Sequence, residues 1–441
     1  MMTTKPFKPA SRWVFPVLSV MLLASCGVQP QMTPMSSEDL FNGAARDAAF
    51  NDDGPSLQEA PRESFQLPVR PMRNPNPRTQ NNAASLSVGP RENVPALEAL
   101  IKSAKKTLYL ETFNFGNDSM GQRVVPLLKA KAKEGVEVKV LADYVGSRFL
   151  PGAKAMAVEL RAAGVDFRYY PIRGIRKDDK RLGANITHRK LYLADGDRGL
   201  VGGMNLMADF DTKDQDVLID FRGEVAQQFH GEFARDWKLA RGGDLAYPGL
   251  QPGLQYGAVD AAIFVTSAPE GRFEARGMTY RAIERAQAEV LIEQQYLTDD
   301  GVLTRLDSAL RRGVKVKAIV PGESSSKVFM RLHTVKLNAL SKLGAEFRLY
   351  NGNPSDAHVH TKYMAVDGSW ATVGSTNHDT RALFDNQEIS LATSDRGLIE
   401  GLRTRLFDHD WNNATKVFEF KEYPWYEQPF NRLLDIFDYY L

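Results

Sequence analysis

The chain repeats one constellation of residues at one spacing, and that repeat limits the folds open to it. His188 and Lys190 are followed by Asp195 and by Gly202, Gly203, Met204 and Asn205; His360 and Lys362 are followed by Asp367 and by Gly374, Ser375, Thr376 and Asn377. In both copies the aspartate lies seven residues after its histidine and the asparagine seventeen after it. A further acid lies 28 residues after each histidine, Asp216 in the first copy and Glu388 in the second. The surroundings repeat too: residues 108–111 match 290–293, 135–139 match 313–317, and 164–168 match 344–348, at offsets of 182, 178 and 180 against 172 at the histidines. A period this long means paired domains rather than a solenoid, with an insertion of about eight residues ahead of His188.

Within each half, short apolar runs alternate with amphipathic stretches. Residues 107–111 and 136–142 read as strands, and the helical pattern over 124–133 is stopped by Gly135. The expected fold class is therefore α/β, with two duplicated domains at 91–245 and 258–412. Gly and Pro pairs mark a linker at 246–257. Phe233 with Trp237 and Phe407 with Trp411 end matching helices and are expected to be core aromatics. Residues 413–441 form an aromatic amphipathic C-terminal tail, read as a cap on the body.

Ahead of the first domain the sequence is of another kind. Lys5, Lys8 and Arg12 precede an apolar run of about twelve residues, well short of the roughly 20 that span a bilayer, so residues 1–25 read as a signal peptide. Leu23, Ala24, Ser25 and Cys26 resemble the bacterial lipobox, which implies a cleaved lipoprotein acylated on Cys26. Residues 26–90, rich in Pro, Asn, Gln and Ser, read as a disordered tether with a reach on the order of 45 Å. The expected location is the bacterial cell envelope, facing the periplasm or the outside. Gly27 in place of an Asp favours the outer membrane of a Gram-negative cell. Cys26 is the only cysteine, so a disulfide within the chain is excluded. The net charge of +2 gives no ground for a nucleic-acid partner.

The repeated motif reads as a hairpin. Asp195-Gly196 and Asp367-Gly368 are signals for two-residue turns, which put Gly203 opposite His188 and Ser375 opposite His360. Residues two apart on a strand share a face, so each histidine and its lysine belong to one site, whereas Asp195 and Asp367 fall at the turn as structural residues. An imidazole is a nucleophile and proton carrier, an ammonium neutralises anionic oxygen and a carboxamide donates a hydrogen bond; together they suit a phosphate diester. The acid 28 residues on can accept the other ring N–H and fix the tautomer. Lys362 shares the face of His358 and His360 and would repel a cation, so no metal is expected, and His358 is read as lining the site. His230, His333, His378 and His409 read as surface or structural groups. Within the insertion, Arg176, Lys177, Lys180 and Arg181 form a charge run diluted by Asp178 and Asp179, which reads first as a solvated face and alternatively as a patch that draws anionic groups towards the site.

The pattern His-x-Lys, four residues, Asp, six residues, then Gly-Gly/Ser-x-Asn resembles the signature of the phospholipase D superfamily. Its two copies, with residues 143–147, 374–381 and 386–388, most resemble bacterial cardiolipin synthases. The resemblance covers roughly residues 93–412. It implies α/β/α sandwich domains packed about a pseudo-twofold axis with a shared active site, a monomer acting as an intramolecular pseudo-dimer. It implies a two-step reaction without metal or cofactor: His188 attacks phosphorus, His360 serves as acid and base, and Asp216 and Glu388 complete the catalytic set. Lys190, Lys362, Asn205, Asn377 and Ser375 would bind the substrate phosphate. The implied activity joins two molecules of phosphatidylglycerol, an anionic phospholipid. Alternatives are a phospholipase D that uses water as acceptor and a phosphodiesterase or nuclease of the same superfamily. Two departures stand out: Gly203 where the second copy has Ser375, and Asp216 where it has Glu388.

Overall fold

The computed structural model describes residues 76–171, 185–323, 327–351, 358–421, 423, 424 and 427. The signal peptide, Cys26, most of the tether, the basic insertion and the end of the tail lie outside the described residues. Among the described residues no helix is long and apolar enough to cross a membrane.

The first half supplies strands β1 (Thr79–Val88), β2 (Thr107–Thr112), β3 (Glu137–Asp143), β4 (Asp166–Tyr170), β5 (Leu191–Ala194), β6 (Arg198–Gly202) and β7 (Val217–Gly223). The second supplies β8 (Val259–Ser267), β9 (Arg272–Phe273), β10 (Glu289–Gln294), β11 (Lys315–Pro321), β12 (Glu346–Tyr350), β13 (Lys362–Val366), β14 (Trp370–Gly374), β15 (Glu388–Thr393) and β16 (Thr415–Val417). In the first half the order runs β4-β3-β2-β5-β6-β7-β1, and in the second β12-β11-β10-β13-β14-β15-β8. In both, the first three strands are parallel and the next join antiparallel. The two orders meet where β1 pairs antiparallel with β8, giving one continuous sheet. Parallel strands buried on both faces read as unbroken apolar runs, as in Leu108, Tyr109 and Leu110.

Helices cover the faces and divide the core into three. One cluster joins the halves through Phe229, Phe233 and Trp237 of the helix Glu224–Leu239 and Leu402, Phe407 and Trp411 at the end of the second half. The other two clusters lie each within one half. Trp237 takes Lys139 and Arg168 over its ring, and Trp411 takes Lys317 and Arg348. The two closing aromatics are thus buried in like surroundings.

Two boundaries differ from the sequence reading. Residues 79–88, expected in the tether, form the central strand β1; only its second half carries a strand period, Ala84, Leu86 and Val88 alternating with serines and packing on the core that joins the halves, and pairing with β7 and β8 specifies the whole. Asn82 reinforces that pairing, donating to the Val259 carbonyl and accepting from Val225 N–H. The second half extends past 412, since β16 adds to the edge at β12 and Phe418 packs on Phe347. The linker at 246–257 is pinned to the first half: Tyr247 donates to the Gly196 carbonyl and Tyr256 to Asp197.

Candidate functional site

Each motif begins as a strand whose turn is locked from outside. Asp195 and Asp367 sit at positive φ, 55° and 52°, and their carboxylates collect backbone N–H donors from the start of the neighbouring strand. Asp195 accepts from Lys105, Lys106 and Thr107, and Asp367 from Gln287, Ala288 and Glu289. The turns are one residue longer than expected. Ala194 pairs with Arg198 and Val366 with Trp370, so residues 195–197 and 367–369 form the loops. That register moves the positions facing the histidines on by one, from Gly203 and Ser375 to Met204 and Thr376.

The halves are stitched together beside both histidines. His188 N–H donates to the Gln387 carbonyl at 2.9 Å, and Gln387 N–H to the Ile186 carbonyl at 2.8 Å. Likewise His360 N–H donates to the Gln215 carbonyl and Gln215 N–H to the His358 carbonyl, both at 2.8 Å. Gln215 and Gln387 immediately precede the two acids, so the acids are delivered across the junction. His188 Nδ1 lies 3.0 Å from Glu388 Oε1, and His360 Nδ1 lies 2.8 Å from Asp216 Oδ2. The acid counted from one histidine serves the other, which the equal spacing does not reveal.

The differences between the copies compensate each other. A Cβ at Gly203 would fall 2.5 Å from Asp216 Oδ2, so the shorter acid and the missing side chain go together, and Gly203 N–H donates to Asp216 Oδ1 at 3.2 Å. In the second copy Ser375 Oγ donates to Glu388 Oε2 at 2.5 Å. Ser375 is fully buried with its hydroxyl committed to Glu388, which corrects its expected role as a phosphate ligand. Asn386 Nδ2 adds a 3.3 Å bond to Glu388 Oε1.

Both lysines are buried against their own histidines. Lys190 Nζ donates to the His188 carbonyl at 2.6 Å; Lys362 Nζ donates to the His360 carbonyl and to Gln295 Oε1 and lies 3.1 Å from His360 Nδ1. Desolvation pushes Lys190 well below its ordinary value and Lys362 down to about 8. Burial lowers His188 to about 4 and His360 well below the usual imidazole range, so both rings are neutral at pH 7. It raises Asp216 to about 7. Neither histidine's Nε2 has a hydrogen-bond partner among the described residues. Asn205 is buried and oriented by Asn114 N–H, which donates to its Oδ1 at 3.2 Å, so its amide N–H₂ is the end left to donate. Asn377 is buried with its Oδ1 unpaired among the described residues. Among the described residues no group of three or more His, Cys, Asp or Glu side chains is gathered to hold a metal ion.

Two histidines, two lysines and two acids therefore lie within electrostatic reach of one another across the halves. A family model described as "Cardiolipin synthase, PLD-like domain" matches residues 97–237 and 280–411. The chain belongs to this family. It is thereby a member of an enzyme superfamily. Relatives of this PLD-like chain include a probable cardiolipin synthase of Bacillus subtilis (strain 168), 26% identical over 352 residues that cover 78% of this chain and 68% of that one. Cardiolipin synthase A of Pseudomonas entomophila (strain L48) is 28% identical over 348 residues, 76% of this chain and 70% of that one. Among solved structures, phosphatidylserine synthase of Haemophilus influenzae Rd KW20 aligns with a TM-score of 0.62 at 17% identity, covering 80% of this chain and 92% of that one. At that identity the likeness concerns the fold alone.

Several residues of the PLD-like site lie outside the repeated motif. Phe113 stands edge-on to His188 at 5.3 Å, and Phe210 to His360 at 4.7 Å. Asp143 Oδ2 accepts from Thr187 N–H at 2.9 Å, and Thr187 Oγ1 donates to Glu111 Oε1 at 2.5 Å, fixing the residue before His188. Behind it the buried carboxylates Asp236 and Glu232 face Arg189, at 2.9 and 3.4 Å. The second half has Thr361 in place of Arg189, and its buried pair Glu293 and Asp410 is met instead by His409, whose Nδ1 lies 2.8 Å from Asp410 Oδ1. Gln215 Nε2 crosses over to donate to Asp410 Oδ2 at 2.7 Å.

Burial, then the Asp410 charge, raise Glu293 well above 4.5. A carboxyl whose folded pKa is raised contributes stability below its unfolded value and loses it as pH rises through the folded value. Glu293→Gln is therefore expected to gain stability relative to the parent as pH rises above 4.5, by up to about 1.4 kcal/mol for each step of one in pH. Thermal melts at pH 5 and pH 8 check this; parallel profiles for the two proteins would refute it.

Proposed function

We propose that the two halves are duplicated domains related by a pseudo-twofold axis and share one active site that transfers a phosphatidyl group. The observation that carries this reading is the crossed pairing of His188 with Glu388 and His360 with Asp216. Each histidine is held by an acid of the other half, so the working Nε2 atoms belong to one assembly. Lys190, Lys362, Asn205 and Asn377 supply cation and N–H donors for the non-bridging oxygens of a phosphodiester. The lysines are stripped of water, so an arriving anion relieves their burial and is gripped strongly.

The surroundings of the two rings differ in a way that divides the work. Glu388, anchored by Ser375 and Asn386, accepts from His188 Nδ1–H, which leaves a lone pair on Nε2. His188 is the nucleophile. Beside His360, the Lys362 ammonium lies against Nδ1 and disfavours a proton there, and Asp216, raised to about 7, supplies the proton of that bond. His360 then carries its own proton on Nε2 and is the acid.

Chemically, the Nε2 lone pair of His188 forms a bond to phosphorus as the bond to the leaving oxygen breaks. His360 Nε2 gives its proton to that oxygen while Asp216 gives one to Nδ1. The charged phosphohistidine ring is balanced by Glu388. In the second step the acceptor hydroxyl returns a proton to His360 Nε2, Nδ1 returns one to Asp216, and the acceptor oxygen displaces His188 from phosphorus.

With phosphatidylglycerol as both donor and acceptor the products are cardiolipin and glycerol. The matching family and the cardiolipin synthases among the relatives support that choice. We further propose that Cys26 carries a lipid that tethers the enzyme to a bacterial envelope membrane, with the domain bodies at about 76–245 and 258–418. Phosphatidylglycerol vesicles incubated with the full chain are expected to yield cardiolipin and glycerol in equal amounts. Phosphatidic acid without cardiolipin would replace the transferase by a hydrolase, and cleavage of DNA with no change in lipid would remove the phospholipid substrate altogether.

A further inference from the structure

One turn at the rim of the site leaves its apolar side chains in water. The helical turn Tyr144–Ser147 follows β3 and is capped by Asp143, whose Oδ1 accepts from Val145 N–H at 2.8 Å and Gly146 N–H at 2.9 Å. The other oxygen of Asp143 holds Thr187, next to His188. The turn sits directly on Phe113: a Cβ at Gly146 would fall 2.4 Å from the Phe113 carbonyl oxygen and 2.8 Å from its ring, the ring that stands against His188 and Lys190. Backbone and aromatic contacts thus run unbroken from the reacting centre to this turn.

Outside it, Phe149 is 70% exposed and Val145 39% exposed. Phe149 is held in place, edge-on to Tyr144 at 5.7 Å, and Tyr144 is edge-on to Tyr169 at 5.8 Å. The order is the reverse of what water favours, since Tyr144, which has a hydroxyl, is half-buried and Phe149, which has none, is the more exposed of the two. Between the two apolar side chains stands Arg148. Its Nη1 and the Tyr169 hydroxyl are both shielded from solvent without a hydrogen-bond partner among the described residues. Arg148 as a whole is only half-buried, and a guanidinium beside an exposed aromatic matches a phosphate under which acyl chains begin.

We propose that Val145, Arg148 and Phe149 form a seat for a phospholipid bilayer at the mouth of the site. Val145 and Phe149 enter the acyl boundary and Arg148 meets lipid phosphate. The choice of lipid rests on the phospholipid reading above, whereas the seat itself is read by binding alone.

The test uses the full chain with Cys26→Ser in every arm, so that no acyl anchor contributes, and vesicles of phosphatidylglycerol and phosphatidylcholine. The double variant Val145→Ser/Phe149→Ser is expected to partition onto vesicles about tenfold more weakly, with its thermal melt unchanged because both side chains are exposed. Phe149→Trp is expected to keep binding and to lose emission when the acyl chains are brominated. Double-variant binding within about twofold of its parent, or indole emission from Phe149→Trp that is indifferent to bromine, overturns the proposal. So does a double variant that changes only self-association in sedimentation, which would make the face a contact between copies. A chain that binds through this turn yet makes no cardiolipin would sink the proposed reaction and leave the seat standing.

Discussion

His188→Ala is expected to lower turnover by at least about 10⁴-fold and to abolish the acid-labile, base-stable phosphoenzyme, whatever the leaving group. His360→Ala is expected to behave differently. Without its proton donor a glycerol-type alkoxide leaves slowly, but a nitrophenolate needs no proton. An activated diester should therefore still label His188, and because no base remains to deprotonate the acceptor, the phosphoenzyme should accumulate. The contrast depends on His188 using Nε2 as a lone pair held by Glu388, and on His360 using Nε2 as an acid beside Lys362 and Asp216. Peptide mapping of labelled protein checks it. Label on His360, or label surviving in His188→Ala, would reverse the roles.

The parts of the site that were legible in the sequence are those built within one hairpin. Asp195 and Asp367 follow from a turn flanked by apolar runs, and the shared face of His188 and Lys190 follows from strand alternation. What could not be read is whatever two separate segments make together. The acids illustrate this. Asp216 and Glu388 are found by counting from a histidine in their own half, yet Gln215 and Gln387, one residue earlier, bond to the backbone of the opposite motif and carry each acid across. Spacing reports the repeat but not which copy faces which.

The same limit explains β1. Its apolar alternation is confined to Ala84, Leu86 and Val88, whereas over the polar residues 79–82 backbone pairing with β8 and the bonds of Asn82 outweigh side-chain preference. Ser375 and Gly203 looked like a gain and a loss of a phosphate donor. They are better understood as fitted partners of a longer and a shorter acid, a relation that exists only in space.

Asp216→Asn is expected to separate proton transfer from ring orientation. An asparagine amide can still donate to His360 Nδ1 and hold the same tautomer, but it cannot give up a proton when Nε2 does. Turnover of a glycerol-type diester should fall on the order of 10²- to 10⁴-fold, whereas a nitrophenyl diester should label His188 at close to the parent rate. Glu388→Gln removes instead the charge that balances the phosphohistidine, so labelling should slow with both leaving groups.

The pH profile follows from the same assignments. In the free enzyme kcat/KM needs His188 neutral and Asp216 protonated. It should rise as pH climbs past about 4, where His188 loses its proton, and fall past about 7, where Asp216 does, with Lys362 at about 8 steepening the same limb. Asp216→Asn should remove the limb near 7 and leave that of Lys362. If the limb near 7 persists unchanged in the asparagine variant, Asp216 orients His360 without carrying its proton, and the relay must end at the imidazole.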